Sequence, residues 1–176
     1  MHEIGFALYA DMLNHAVKQL KAGKEPDLSA PLGVTTEINL HTPALLPNDY
    51  CGDVHERLVL YKRLASCNAL DVLQDMREEL IDRFGLPPLQ TQALLACHKL
   101  RILAKPLGIN KIDASSEAIQ LQFSQKTPVE PDVILNLLRK SPVYRMSGPD
   151  KLRIAVQHEA LQPRTDFIEG LLKQLA

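Results

Sequence analysis

At Gly108 the hydrophobic pattern of the chain changes period, and that change restricts the fold more than any other feature of the sequence. Between Val54 and Lys105 apolar residues recur at helical spacing. Beyond Gly108, Ile119, Leu121 and Phe123 alternate with Gln120 and Gln122 at the period of a half-buried strand. Helical and strand patterns are thus segregated rather than interleaved as β-α-β units. This predicts an α+β fold of antiparallel helices with short β-hairpins and argues against a doubly wound sheet.

The start of the chain adds a connecting helix. Ile4, Leu8, Met12, Ala16 and Leu20 mark it over about residues 3–22, Gly23 suits its end, and Pro26 and Pro31 mark a linker. It opens with no Ser, Thr, Asp or Asn cap, which suggests a segment cut from something longer. The expected division is a connecting helix over 1–25 and an α+β domain over 32–176. Val34, Thr36, Ile38 and Leu40 then alternate with polar residues as a strand.

Asp53 followed by Glu56 reads as a capping box opening a helix over Val54–Ser66, with Leu58, Tyr61 and Leu64 facing inward. Asn68 is expected to cap a second helix, which runs to Phe84 and is stopped by Gly85-Leu86-Pro87-Pro88. A third runs from Leu89 to about Lys105 with Leu89, Ala93, Leu100 and Leu103 inward. Connections this short make these helices antiparallel neighbours. After Gly108 come a hairpin over 109–123, a helix begun by Pro131 and a hairpin turned at Ser147-Gly148-Pro149-Asp150. An amphipathic helix carrying Phe167, Ile168, Leu171, Leu172 and Leu175 closes the chain.

Much chemistry is missing from this pattern. None of the 8 glycines has the spacing of a phosphate-cradling loop, and Ser147-Gly148 sits in a turn rather than a nucleophile elbow. No cofactor and no catalytic residue is expected. Cys51 with His55, and Cys97 with His98, would form a metal site only if the fold gathered all four, and their ordinary role is packing. Three cysteines without a CxxC pair suit a reducing, cytoplasmic setting. No stretch has the length of a membrane span, and a formal charge of −1 provides no global field for nucleic acid.

The most informative segment lies between Asn68 and Phe84. Asp71, Asp75, Glu78 and Asp82 fall within about 60° of one helix face, with Glu79 on its flank, while Leu73, Met76, Leu80 and Phe84 lie opposite. Like charges at this spacing repel, so the stripe does not stabilise the isolated helix. One reading is a solvated face. The other is a dock for arginines, whose planar fork matches carboxylates on a rigid rod. Paired catalytic carboxylates would need burial to split their pKa values, and this face is polar throughout.

The strings Leu45-Leu46-Pro47-Asn48-Asp49-Tyr50, Arg57-Leu58-Val59-Leu60-Tyr61-Lys62-Arg63-Leu64-Ala65 and Glu79-Leu80-Ile81-Asp82-Arg83-Phe84-Gly85-Leu86-Pro87 resemble the C-terminal domain of bacterial transcription-repair coupling factors. Ile4-Gly5-Phe6-Ala7-Leu8-Tyr9 is similar to the helix that follows the motor domains of that family. The resemblance runs in order over nearly the whole chain. It implies a large ATP- and magnesium-dependent translocase on duplex DNA, which displaces stalled RNA polymerase and recruits the excision-repair protein UvrA. It also implies that this piece is not itself an enzyme but masks the N-terminal UvrA-binding module. Glu79 and Asp82 match the family's acidic contacts in that interface, and Asp75 and Glu78 extend the patch. An alternative is a nucleic-acid-contacting module using Arg57, Lys62 and Arg63 together with Arg101 and Lys105.

Overall fold

A computed structural model of the chain describes residues 36–176. The connecting helix expected over residues 3–22 and the boundary near residue 25 therefore lie outside the described residues. Those described fall into two compact units, Pro43–Lys99 and the segment up to Thr42 together with Leu100–Ala176.

The first unit is helical. It holds α1 (Val54–Ala65), α2 (Leu70–Phe84) and the start of α3 (Leu89–Ala104), so the divide between units falls inside a helix. The Asp53 carboxylate caps α1 by accepting the His55 N–H at 3.0 Å. The expected capping box is only half formed. Glu56 pairs with Arg83 of α2 instead, because a guanidinium offers its carboxylate more than one backbone amide does.

Helix α2 also begins differently from expectation. Its N-cap is Ala69, with no side-chain cap, and Asn68 is not used. Asp71 in the first turn places negative charge at the positive end of the helix dipole and accepts the Val72 N–H at 2.9 Å. The other end behaves as the sequence indicates. Gly85 adopts φ 91°, a backbone conformation strained for any side chain, and its N–H closes on the Ile81 carbonyl. The Tyr50 hydroxyl donates to the Gly85 carbonyl at 2.8 Å, and its ring lies 5.6 Å from that of Phe84.

Leu60, Tyr61 and Leu64 of α1 and Leu73, Met76 and Leu80 of α2 are buried, with Leu60 taking the place expected for the half-buried Leu58. In α3, Ala93 and Leu100 are buried as expected, whereas Leu89, first in the helix, is exposed and Leu103 is half-buried. The segment before α1 is tied down by polar bonds: the Leu46 N–H donates to Tyr61 Oη at 2.7 Å, and Thr91 Oγ1 to the Leu45 carbonyl at 3.1 Å.

The second unit is built on a five-stranded sheet in the order β1-β2-β3-β5-β4. Its strands are β1 (Glu37–Asn39), β2 (Ile109–Ala114), β3 (Ile119–Phe123), β4 (Tyr144–Met146) and β5 (Lys151–Ile154). The hairpins β2-β3 and β4-β5 follow from the alternation. The sheet that joins them through β3 and β5, and the parallel pairing of β1 on β2 with Ile38 opposite Ile112, do not. Helix α4 (Pro131–Lys140) carries its proline in the first turn. Helix α5 (Leu161–Leu175) begins well before Phe167 and accommodates Pro163, because first-turn amides have no intrahelical acceptor.

Ile112, Ile119, Leu121, Leu152 and Ile154 are buried on one sheet face, and Ile168, Leu171 and Leu172 supply the buried stripe of α5. Gly108 has φ 68°, and a Cβ there would lie 2.6 Å from the Thr127 Cα, so both conformation and space require glycine. None of the described helices is long and apolar enough to cross a membrane.

The polar centre of this unit is Arg164, 4% exposed. Its guanidinium donates to the carbonyls of Leu40 at 2.5 Å, Glu159 at 2.9 Å and His158 at 3.0 Å, joining the end of β1 to the chain entering α5. Arg164→Met leaves the His158 and Glu159 carbonyls without a donor and the Leu40 carbonyl with only the Thr42 hydroxyl at 3.4 Å, and should cost about 2–4 kcal/mol in urea unfolding. Arg164→Lys should recover little, since an ammonium cannot span the fork. Wild-type stability in either variant would refute the clamp.

Candidate functional site

The four carboxylates singled out by the sequence, Asp75, Glu78, Glu79 and Asp82, all lie on α2, and the structure divides them into two sets. Asp75, Glu78 and Asp82 are exposed and have no ion-pair partner among the described residues. They project from the side of the helix opposite the buried Leu73, Met76 and Leu80.

Glu79, on the flank, is half-buried and held inside the unit. Arg63 of α1 donates to it through both terminal nitrogens, at 2.7 and 2.8 Å, and Arg83 donates at 3.1 Å from one turn along α2. Arg83 in turn meets Glu56, so charges alternate along Glu56, Arg83, Glu79 and Arg63. Early residues of α1 meet late residues of α2, as antiparallel neighbours must. The Arg63 hydrogen bonds come first among the causes holding the Glu79 carboxyl below the usual carboxylate range, and the same contact raises Arg63.

Beside the network lies an open depression of about 380 Å³, walled by Lys62, Arg63, Val72, Asp75, Met76 and Glu79. Asp75 thus stands where the tied and free carboxylates meet. Sequence spacing contained a signal for one link of the network that the reading of Glu79 as a docking residue passes over: Glu79 precedes Arg83 by four residues, the favourable order for a helical ion pair.

The cations of the alternative reading are engaged elsewhere. Arg57 donates to Asn48 Oδ1 at 2.6 Å and to the Cys51 carbonyl at 2.8 Å, Arg63 holds Glu79, and Lys62 also has a bonding partner. In the second unit Arg101 is buried and partnered, whereas Lys105 is exposed. Arg57, Lys62 and Arg63 thus do not form a free basic patch within the first unit.

The cysteines are free thiols. Burial raises Cys51 and pushes Cys97 up to about 12. Cys97 is only half-buried by area, and it is the surroundings of its sulfur that set this value. A thiol so protonated is a poor nucleophile. Among the described residues no three His, Cys, Asp or Glu side chains gather as a metal site, so Cys51, His55, Cys97 and His98 do not come together as one.

Comparison with known proteins sets this geometry in a family context. A family profile described as the TRCF domain matches residues 40–134, more than half of the chain. The transcription-repair-coupling factor of Haemophilus influenzae is 42% identical over 177 residues, covering 100% of this chain and 15% of that protein. That of Escherichia coli is 38% identical over 99% of this chain, and again 15% of the relative. The chain therefore spans a small part of these relatives. A solved structure, the crystal structure of the C-terminal domain of a transcription-repair coupling factor, superposes with a TM-score of 0.64. It covers 80% of this chain and 94% of that one at 22% identity, which shows a shared fold.

Glu79 makes stability depend on pH in a defined direction. Its pKa is lowered by folding, so its contribution is present above the unfolded carboxylate value of about 4.3 and is lost as pH falls through the folded value. Glu79→Gln should lower stability at pH 7 by at most about 1 kcal/mol, as befits a partly exposed pair. The gap between wild type and variant should narrow as the solution is acidified through about 4.3 toward pH about 3. Urea midpoints at both pH values check this; a gap that persists in acid would detach the effect from the ion pairs.

Proposed function

Because the chain belongs to the TRCF domain family, with the fold of the C-terminal domain of a transcription-repair coupling factor, we propose that it is an autoinhibitory interaction domain. It would mask the N-terminal UvrA-binding module of the full-length protein through a reversible polar interface. The observation that carries this reading is the division of the α2 carboxylates. Asp75, Glu78 and Asp82 are exposed and unpaired on a helix whose opposite side is buried, while Arg63 and Arg83 are occupied by Glu79.

A solvated acidic face would need no such support. Here Glu79 and its two arginines brace α2 against α1, so the three free carboxylates keep fixed spacing on a firm backing. That is the requirement for receiving arginines from another surface. Exposed ion pairs are worth about 0 to 1 kcal/mol each, so several make a latch specific in register and still openable when a motor rearranges. Within this reading Glu79 has a dual place: its chemistry braces the helix, and its edge borders the contact.

The remaining functions follow as proposals for the whole protein. ATP and magnesium would act in motor domains on duplex DNA upstream, in the cytoplasm, where RNA polymerase is the obstacle removed and UvrA the protein recruited. The domain itself would carry out no catalysis. No more than indirect dealings with those partners are needed for a mask.

The deciding variant reverses free carboxylates and leaves the brace intact. Glu78→Arg with Asp82→Arg in the full-length protein should weaken the mask by about 1–2 kcal/mol and raise apparent UvrA affinity roughly 5- to 30-fold. Glu79→Arg with Asp82→Arg should also raise it, accompanied by a loss of thermal stability that the first pair does not show. Unchanged UvrA binding by the first pair, measured by titration on folded protein, would end the masking role of this face.

A further inference from the structure

The sheet of the second unit has one polar face, and its charge is unevenly spread. On the β1–β2 side the charges are matched: Lys111 lies 3.2 Å from Glu37, and His41 pairs with Asp113. On the β3–β5–β4 side they are not. Register places Arg145 of β4 directly opposite Arg153 of β5, with Gln120 of β3 on the other side of Arg153 and Gln122 opposite Lys151.

Arg145 and Arg153 are exposed and Lys151 half-exposed, and none of the three has an acidic partner among the described residues. Like charges directly opposed across strands oppose sheet formation, so the fold bears this repulsion without internal compensation. Overall basicity does not account for it, since the chain carries a formal charge of −1. Something anionic outside the unit is the natural counterpart.

We propose that the β3–β5–β4 side of this face binds the phosphates of a DNA duplex. Arginine, lysine and glutamine are side chains that position a backbone without reading bases, and here they form a flat grid on rigid strands. A single strand fits less well. It calls for exposed aromatic rings on which bases stack, whereas Phe123 is buried and Tyr144, opposite Ile154, belongs to the other face. The contact is independent of the acidic stripe, which lies in the first unit, so either assignment can fail alone.

The test is a fluorescence-anisotropy titration of the 176-residue chain with a labelled duplex of about 20 base pairs, repeated between about 50 and 200 mM salt. Neutralising three phosphates predicts a log–log salt slope of about −2.7. Arg145→Glu with Arg153→Glu should weaken binding at least about tenfold and bring the slope to about −1. Arg145→Gln should weaken binding by a smaller factor while leaving the thermal midpoint equal to or above that of wild type, because it removes the opposed pair. The proposal is overturned by no salt-sensitive binding in wild type, or by undiminished binding in the double variant. It is equally overturned if a poly-glutamate peptide binds as tightly as the duplex, which would point to an acidic protein, or if a single strand binds more tightly.

Discussion

Four alternating charges, Glu56, Arg83, Glu79 and Arg63, fix how α2 lies along α1, and the character of the acidic face follows from that arrangement. Each link is a partly exposed ion pair and a small stabiliser alone. Their value is geometric. The chain of charges engages Arg63 and Arg83 on the flank of α2, and it leaves Asp75, Glu78 and Asp82 facing outward from a helix that is braced against α1. A helix with the same net charge but without Glu79 at that flank would be free to satisfy its own carboxylates.

Arg164 plays the corresponding part in the second unit by a different means. Its charge is met by three carbonyls, so it acts as a directional donor to backbone that no strand or helix satisfies. One of those carbonyls belongs to Leu40, just beyond a strand of three residues. A strand so short has few ladder bonds to hold it, and the arginine supplies an anchor that β1 lacks.

Local patterns were legible wherever local forces decide. The alternation of Ile119, Leu121 and Phe123, the proline at the start of α4 and the glycine after Phe84 all specify elements because period, φ and the missing amide act over a few residues. The capping of α2 was not legible, since Asn68 has a side chain suited to an N-cap but the backbone enters the helix at Ala69 and leaves Asn68 unused. Nor was the parallel partnership of Ile38 with Ile112, which depends on residues far apart in sequence. At the candidate site, the stripe itself could be read from spacing. The separation of Glu79 from its neighbours could not, because it needs Arg63 from another helix.

That parallel partnership bears on the order in which the chain is assembled. Strands β2, β3, β5 and β4 form one antiparallel set whose members follow one another closely, while β1 must wait for everything between Thr42 and Leu100 to be synthesised. Closing so long a loop carries an entropic cost that grows only slowly with its length, and early folding of the inserted helices shortens the span that must be searched. The edge made by β1 therefore carries the costliest closure of any pairing in the sheet, because partners such as Glu37 and Lys111 lie farther apart along the chain than those of any other strand pair that meets there.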